Sequence, residues 1–300
     1  MIKPDPHSSG ATGKITTDAE AARNLAQRIV SAAVLAPLWI VCAYAGGWLF
    51  LIACTLAAVA ILYEWTSLVL GRADPRILIP GAIAVLAAAG LAAAGETIGA
   101  IGAIAAGAVF AGVAAWSRRF SAGRAPIWAV SGVIYAGVAL LAPALLRADP
   151  VAGLTSILFL FAIVWSTDVC AYFVGRAVGG PLLWPRVSPK KTWAGALGGL
   201  IGGVAAGALV AYASGGPKPA AAAALALVLS IVAQGGDLFE SAIKRRFGAK
   251  DASHLIPGHG GVMDRLDGFL VAALAAIVIG VLRQGLVLGL AAPAQGLLIW

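Results

Sequence analysis

From Val30 to about residue 290 the chain returns repeatedly to apolar runs close to twenty residues long, separated by short polar turns. A helix needs roughly 20 apolar residues to cross a hydrocarbon core of about 30 Å, and the backbone N–H and C=O groups inside that core must be satisfied by the helix itself. Charged residues make up 11% of the chain, against about 25% in soluble globular domains, and the mean hydropathy is +0.93. Together these exclude a single water-soluble core. The runs predict spans at 30–46, 48–70, 77–94, 97–116, 127–146, 151–174, 194–213, 219–237 and 268–290, the last interrupted by Arg283. The expected architecture is all-α, a polytopic transmembrane helical bundle of about nine spans.

The chain divides into a polar N-terminal arm (1–28), an N-terminal transmembrane region (29–150) and a C-terminal transmembrane region (151–300). The arm is polar and the first apolar run continues straight into a second, which is unlike a cleaved signal peptide. Segments such as GAIAVLAAAGLAAAG and AIGAIAAGAVFAG in the first half read as helix-packing surfaces, because small residues let helices approach closely. Trp48, Trp116, Trp128, Trp184 and Trp193 fall near span ends, where indoles favour the membrane interface. Cys42, Cys54 and Cys170 show no metal-binding spacing and read as packing residues.

Net charge is +8, but its placement matters more than its sum. With a cytoplasmic N-terminus and alternating spans, only Arg147, Lys218 and Arg283 of the 21 basic residues fall on or near the outer face. The excess therefore obeys the positive-inside rule and suits anionic lipid, with no nucleic acid required. The expectation is a multi-pass protein of the cell inner (plasma) membrane with its N-terminus in the cytoplasm. Its polar site would lie on the cytoplasmic side of the C-terminal half.

In that half the polar residues collect in three places. In the first, Asp168, Tyr172 and Gly175 share one helix face. A carboxylate at a helix centre costs about 2.5–3.5 kcal/mol on insertion scales, so Asp168 needs a compensating partner, even if that is only one interhelical hydrogen bond. In the second, Asp237, Glu240, Ser241 and Lys244 also share one face. Such a face can hold a cation at one end and phosphate oxygens at the other, although a solvated helix end would equally explain Lys244–Arg246. In the third, Asp264 and Asp267 stand three apart after the small-residue loop Gly258-His259-Gly260-Gly261. Acids at a helix N-terminus are favoured by the helix dipole, but the glycines suit close backbone approach to a phosphate. No serine shows an evident His/Asp partnership, and the histidines lack the ligand set of a zinc site. Aspartates beside many lysines and arginines point instead to Mg²⁺ and phosphates. Glu64, in the second span, either reaches this site or pairs with a helix neighbour.

The ordered string Ser241-x2-Lys244-Arg245-x4-Lys250-Asp251-x4-Ile256-Pro257-Gly258-His259-Gly260-Gly261-x2-Asp264-Arg265-x-Asp267 closely resembles the signature of phosphatidate cytidylyltransferases, also called CDP-diacylglycerol synthases. Gly236-Asp237, Ser188-Pro189-Lys190-Lys191-Thr192 and Asp168-x3-Tyr172-x2-Gly175-Arg176 extend the resemblance over roughly residues 165–270. Ala194 and Gly268 depart from the family's usual Glu and Ser. The resemblance implies transfer of a cytidylyl group from CTP to phosphatidate, giving CDP-diacylglycerol and diphosphate in phospholipid biosynthesis. It implies metal ligation by Asp237 and Asp264, with Asp267 and Asp168 as second choices, for Mg²⁺ and an optional second cation. Lys190, Lys191, Lys244, Arg245 and Arg265 would bind triphosphate and lipid phosphate, and Asp237, Asp264, Lys244 and Arg265 would carry the chemistry. Ser241, His259, Gly260 and Gly261 would shape the nucleotide pocket, and a homodimer stays open. Two rivals fare less well. A CDP-alcohol phosphotransferase shares Asp264-x2-Asp267-Gly268 but needs further acids, and neither Asp nor Glu follows Asp267. A transporter would line a path across the membrane, whereas these polar residues gather on one side.

Overall fold

The structure, a computed structural model, describes residues 33–116, 125–215, 219–253, 255–256, 260–285 and 292–299. The N-terminal arm, His254, Pro257 to His259 and Lys218 lie outside the described residues. A short apolar helix, α1 (Ala33–Ala45), comes first. Eight helices long and apolar enough to cross a membrane follow: α2 (Gly47–Leu70), α3 (Pro75–Ala93), α4 (Thr97–Trp116), α5 (Ala125–Ala148), α6 (Gly153–Val178), α7 (Trp193–Ala213), α8 (Pro219–Arg246) and α9 (Met263–Gln284). Between α6 and α7 lies an antiparallel hairpin of β1 (Leu182–Trp184) and β2 (Ser188–Thr192). A last helix, α10 (Pro293–Leu298), packs on α9.

Local chemistry sets several of these boundaries. Asp74 starts α3 by accepting the Arg76 N–H at 3.0 Å with Pro75 in the first turn, and Thr192 starts α7 by accepting the Gly195 N–H at 3.0 Å. Gly71, at φ 73°, ends α2 in the left-handed conformation that costs glycine little. Large apolar side chains such as Trp48, Leu56, Ile98, Phe110 and Ile201 are exposed on the flanks, as in a bundle whose outer solvent is lipid.

The tightest seam joins α6 and α7. Gly195, Gly199, Gly203 and Gly207, one per helical turn, are all buried. A Cβ at Gly195 would lie 2.7 Å from the Ala171 carbonyl oxygen, and one at Gly199 2.8 Å from that of Thr167. Where this seam meets α8, the Thr167 and Ser230 hydroxyls satisfy each other at 2.7 Å. Close approach of this kind is how small residues join helices that lipid cannot drive together.

The helices alternate in direction. The C-terminal ends of α2, α6 and α8 meet the N-terminal ends of α5, α7 and α9 at one end of the bundle, as the contacts Glu64–Met263, Trp65–Trp128, Trp128–Phe247 and Gly175–Gly195 require. At the opposite end, Arg147 donates to the Ala43 and Tyr44 carbonyls at 2.5 and 3.3 Å.

Of the nine expected spans, the first (30–46) appears among the described residues only as the short helix α1, which leaves eight long enough to cross a membrane. Three further sequence expectations change in detail. The last span was expected at 268–290, but α9 starts at Met263 and stops at Gln284, before Gly285 at φ 81°. Arg283 does not interrupt the helix; it donates to the carbonyls of Gly296 (2.5 Å), Leu297 (3.2 Å) and Ile299 (3.2 Å), closing the end of α10. Trp128 is turned inward, its carbonyl accepting the Trp65 indole N–H at 2.9 Å and its ring beside Phe247 and under the Arg246 guanidinium. The other four interface tryptophans are exposed.

Candidate active site

Where those helix ends meet, α6, the hairpin, α7, α8 and α9 enclose a cavity of about 910 Å³. This is the upper range of ligand pockets, about 300–1,000 Å³. The stripe Asp168, Tyr172 and Gly175 faces it from α6, with Tyr172 Oη accepting a hydrogen bond from Arg176 at 3.1 Å. Lys190 and Lys191 enter from β2, and Asp237, Glu240 and Lys244 from α8. Asp264, Arg265 and Asp267 enter from the first turns of α9. Three stretches distant in sequence thus supply carboxylates and cations to one space.

Asp237 forms an ion pair with Lys191, joining α8 to the hairpin, and Ser241 Oγ donates to its other oxygen at 3.4 Å. Both charged side chains are about a third exposed, so the pair stays exchangeable in a wet cavity.

Lys244 is buried and bridges two carboxylates, Glu240 at 3.0 Å and Asp264 at 2.5 Å. Asp264 also accepts the backbone N–H groups of Gly261 (2.7 Å) and Ala252 (3.0 Å). It therefore ties α8, the α8–α9 loop and the start of α9 into one knot. Glu240 Oε1 is buried beside the Asp267 carboxyl, where the two carboxyls can share a proton. Two buried carboxyls side by side are costly unless a cation or a proton lies between them. The donor set, all hard carboxylate oxygens, fits Mg²⁺ in kind. Among the described residues no three such groups are already gathered about one point.

The remaining candidates among the described residues fall outside the cavity lining. Arg245 is exposed and donates to the Ala249 carbonyl at 2.9 Å, closing the end of α8. Gly260, at φ 84°, pairs with Ile256 across the loop. Gly261 lies against Glu64, where a Cβ would come within 2.7 Å of the carboxylate oxygen. His259 lies outside the described residues. Glu64 itself, open from sequence, is fully buried and accepts hydrogen bonds from Ser253 Oγ, Val262 N and Met263 N at 2.6, 2.8 and 2.7 Å. Sequence reasoning also passed over Asp251 as a lining group. Its place in the matched string, beside Lys250, was the signal.

These features define a polytopic membrane protein whose helix ends enclose a cavity of mixed acids and bases suited to polyphosphates. Residues 26–282 match the profile of the cytidylyltransferase family, and the chain belongs to that family. It is 43% identical over 265 residues to the phosphatidate cytidylyltransferase of Brucella suis biovar 1 (strain 1330), covering 86% of this chain and 93% of that protein. Identity to the enzyme of the same name from Brucella melitensis biotype 1 is 43% over the same shares. The Bacillus subtilis (strain 168) phosphatidate cytidylyltransferase is 43% identical over 119 residues, 39% of this chain and 44% of that one.

Proposed function

We propose that this protein transfers the cytidylyl group of CTP to phosphatidate, releasing CDP-diacylglycerol and diphosphate. The observation that carries the proposal is 43% identity along 93% of a phosphatidate cytidylyltransferase, joined to a cavity of matching chemistry at the helix ends. A phosphate oxygen of phosphatidate attacks the α-phosphorus of CTP. The bond from that phosphorus to the oxygen bridging to the β-phosphate breaks, and its electron pair leaves with diphosphate. Phosphatidate is already an anion near neutral pH, so no serine or cysteine nucleophile is needed. The protein's task is to bring two anions together in line and to stabilise charge on the departing group.

In this proposal Lys191, Lys190 and Arg265 bind the triphosphate and the lipid phosphate, and Lys191 exchanges Asp237 for a phosphate oxygen as substrate enters. Lys244 holds Asp264 in place. Asp237 and Asp264 would hold Mg²⁺, with Asp267 and Asp168 beside them, and the metal would offset the charge of the polyphosphate. Arg245, exposed beyond the lining, would act only on incoming anions. Ser241 would orient Asp237, while Gly260, Gly261 and His259 would shape the rim for the nucleotide. The acyl chains would stay in the bilayer. We further propose that the cavity end faces the cytoplasm from an inner membrane.

The test is incorporation of α-labelled CTP into extractable lipid by purified protein in detergent, with phosphatidate and Mg²⁺, beside an EDTA control. Labelled lipid should form only with metal, and Asp264→Asn should lower turnover by about 10²–10³-fold while the protein still inserts. Absence of product from folded wild-type protein would overturn the proposal.

A further inference from the structure

The start of α9 lacks a cap of its own, since Val262 makes no side-chain capping bond. The first amides of a helix are orphan donors that something must accept. Here the acceptor comes from α2: Glu64 Oε1 takes the Ser253 hydroxyl and the Val262 N–H, and Oε2 takes the Met263 N–H. The amide just before these, that of Gly261, donates to Asp264. Three consecutive amides are thus shared between a buried carboxylate of the N-terminal half and a carboxylate of the cavity. The turn lies directly against Glu64, since a Cβ at Gly261 would come within 2.7 Å of its carboxylate oxygen. Glu64 does not line the cavity.

We infer that Glu64 is a positioning residue: by fixing the Gly261–Met263 backbone from α2 it sets the place of Asp264, and through it Lys244, in the cavity. The inference rests on the cytidylyl-transfer proposal for its kinetic consequence, while its structural half stands apart from it. Misplacement of a reacting group by about 1 Å can cost about 10²-fold in rate. Glutamine at 64 keeps one acceptor oxygen but turns its NH₂ toward the Val262 or the Met263 N–H, so it cannot accept from both backbone amides as the carboxylate does.

The experiment compares full-length wild type, Glu64→Gln and Leu62→Ala in detergent. Leu62 is a fully buried core residue of the same helix. Two measurements are made: steady-state kinetics with CTP and phosphatidate, and amide hydrogen exchange without substrates. Glu64→Gln should turn over about 10²-fold more slowly with KM for CTP within about threefold of wild type. Its Val262 and Met263 amides should exchange faster while those of α6 keep their protection. Leu62→Ala should melt earlier yet keep kcat within about threefold, separating positioning from general loosening. Wild-type kcat in Glu64→Gln, or unchanged exchange at Val262 and Met263, would overturn the inference. Should Glu64→Gln fail to fold, Ser253→Ala deletes one donor and spares the carboxylate. It should then lower kcat about three- to tenfold, and no change would overturn the inference. A wild type that transfers no cytidylyl group would sink the proposed reaction, and exchange at Val262 and Met263 would then decide the Glu64 anchor alone.

Discussion

At the scale of single residues, the site is a set of charges with unequal attachments. Lys244 is buried between Glu240 and Asp264, whereas Lys190 is exposed on β2. Removing one member of a buried ionic cluster leaves its partners uncompensated, at a cost of about 3–5 kcal/mol. Lys244→Met should therefore lower the thermal midpoint sharply. Lys190→Ala should stay within about 0.5 kcal/mol of wild type and raise KM for CTP. Thermal unfolding of both variants in one detergent checks the pair. The spacing of Asp237, Glu240 and Lys244 was legible because one helix carries all three. Glu64 was not, because its hydrogen-bond partners lie 189 to 199 residues away and only the fold brings them together. Of the family departures, Gly268 gains a physical account: a Cβ there would sit 3.0 Å from the Ala233 carbonyl oxygen. Nothing in the structure explains Ala194.

Among the elements, the long helices were the easiest to read, since unbroken apolar runs declare themselves. The hairpin was not, because Ser188 to Thr192 carries charge and proline in place of the alternation that marks a strand. The start of α9 was set too late because Asp264, Arg265 and Asp267 break the apolar run, though they suit a helix opening onto a wet cavity. The α7 glycines make a sharper prediction about packing. A side chain at Gly203 would press on the Thr167 and Ser230 hydroxyls, while Gly235 on α8 has open space. Gly203→Val should destabilise by about 1–3 kcal/mol or more through overpacking. Gly235→Ala should be neutral or stabilise by about 0.5–1 kcal/mol, as alanine does in a helix interior. Melting curves of the two variants decide it.

For the whole molecule, the cavity and most of the basic residues among the described ones share one end, and Arg147 and Arg283 cap carbonyls elsewhere. If the cavity end is cytoplasmic, Arg176→Cys should react with a membrane-impermeant maleimide only in inverted vesicles, and Val151→Cys only in intact spheroplasts, in a chain with Cys170 replaced. Cys42 and Cys54 are buried and should stay silent. The reverse pattern would invert the assignment. The cavity lining begins at Asp168, yet the first half of the chain supplies Glu64 to the start of α9. That anchor also has a bearing on time. Glu64 emerges from the ribosome nearly 200 residues before Val262 and Met263. At about 5–20 residues per second, that is a wait of roughly 10–40 s. Throughout it, the second helix holds a carboxylate whose final partners do not yet exist. The site can close only when the last long helix arrives, so biogenesis itself keeps the unfinished enzyme switched off.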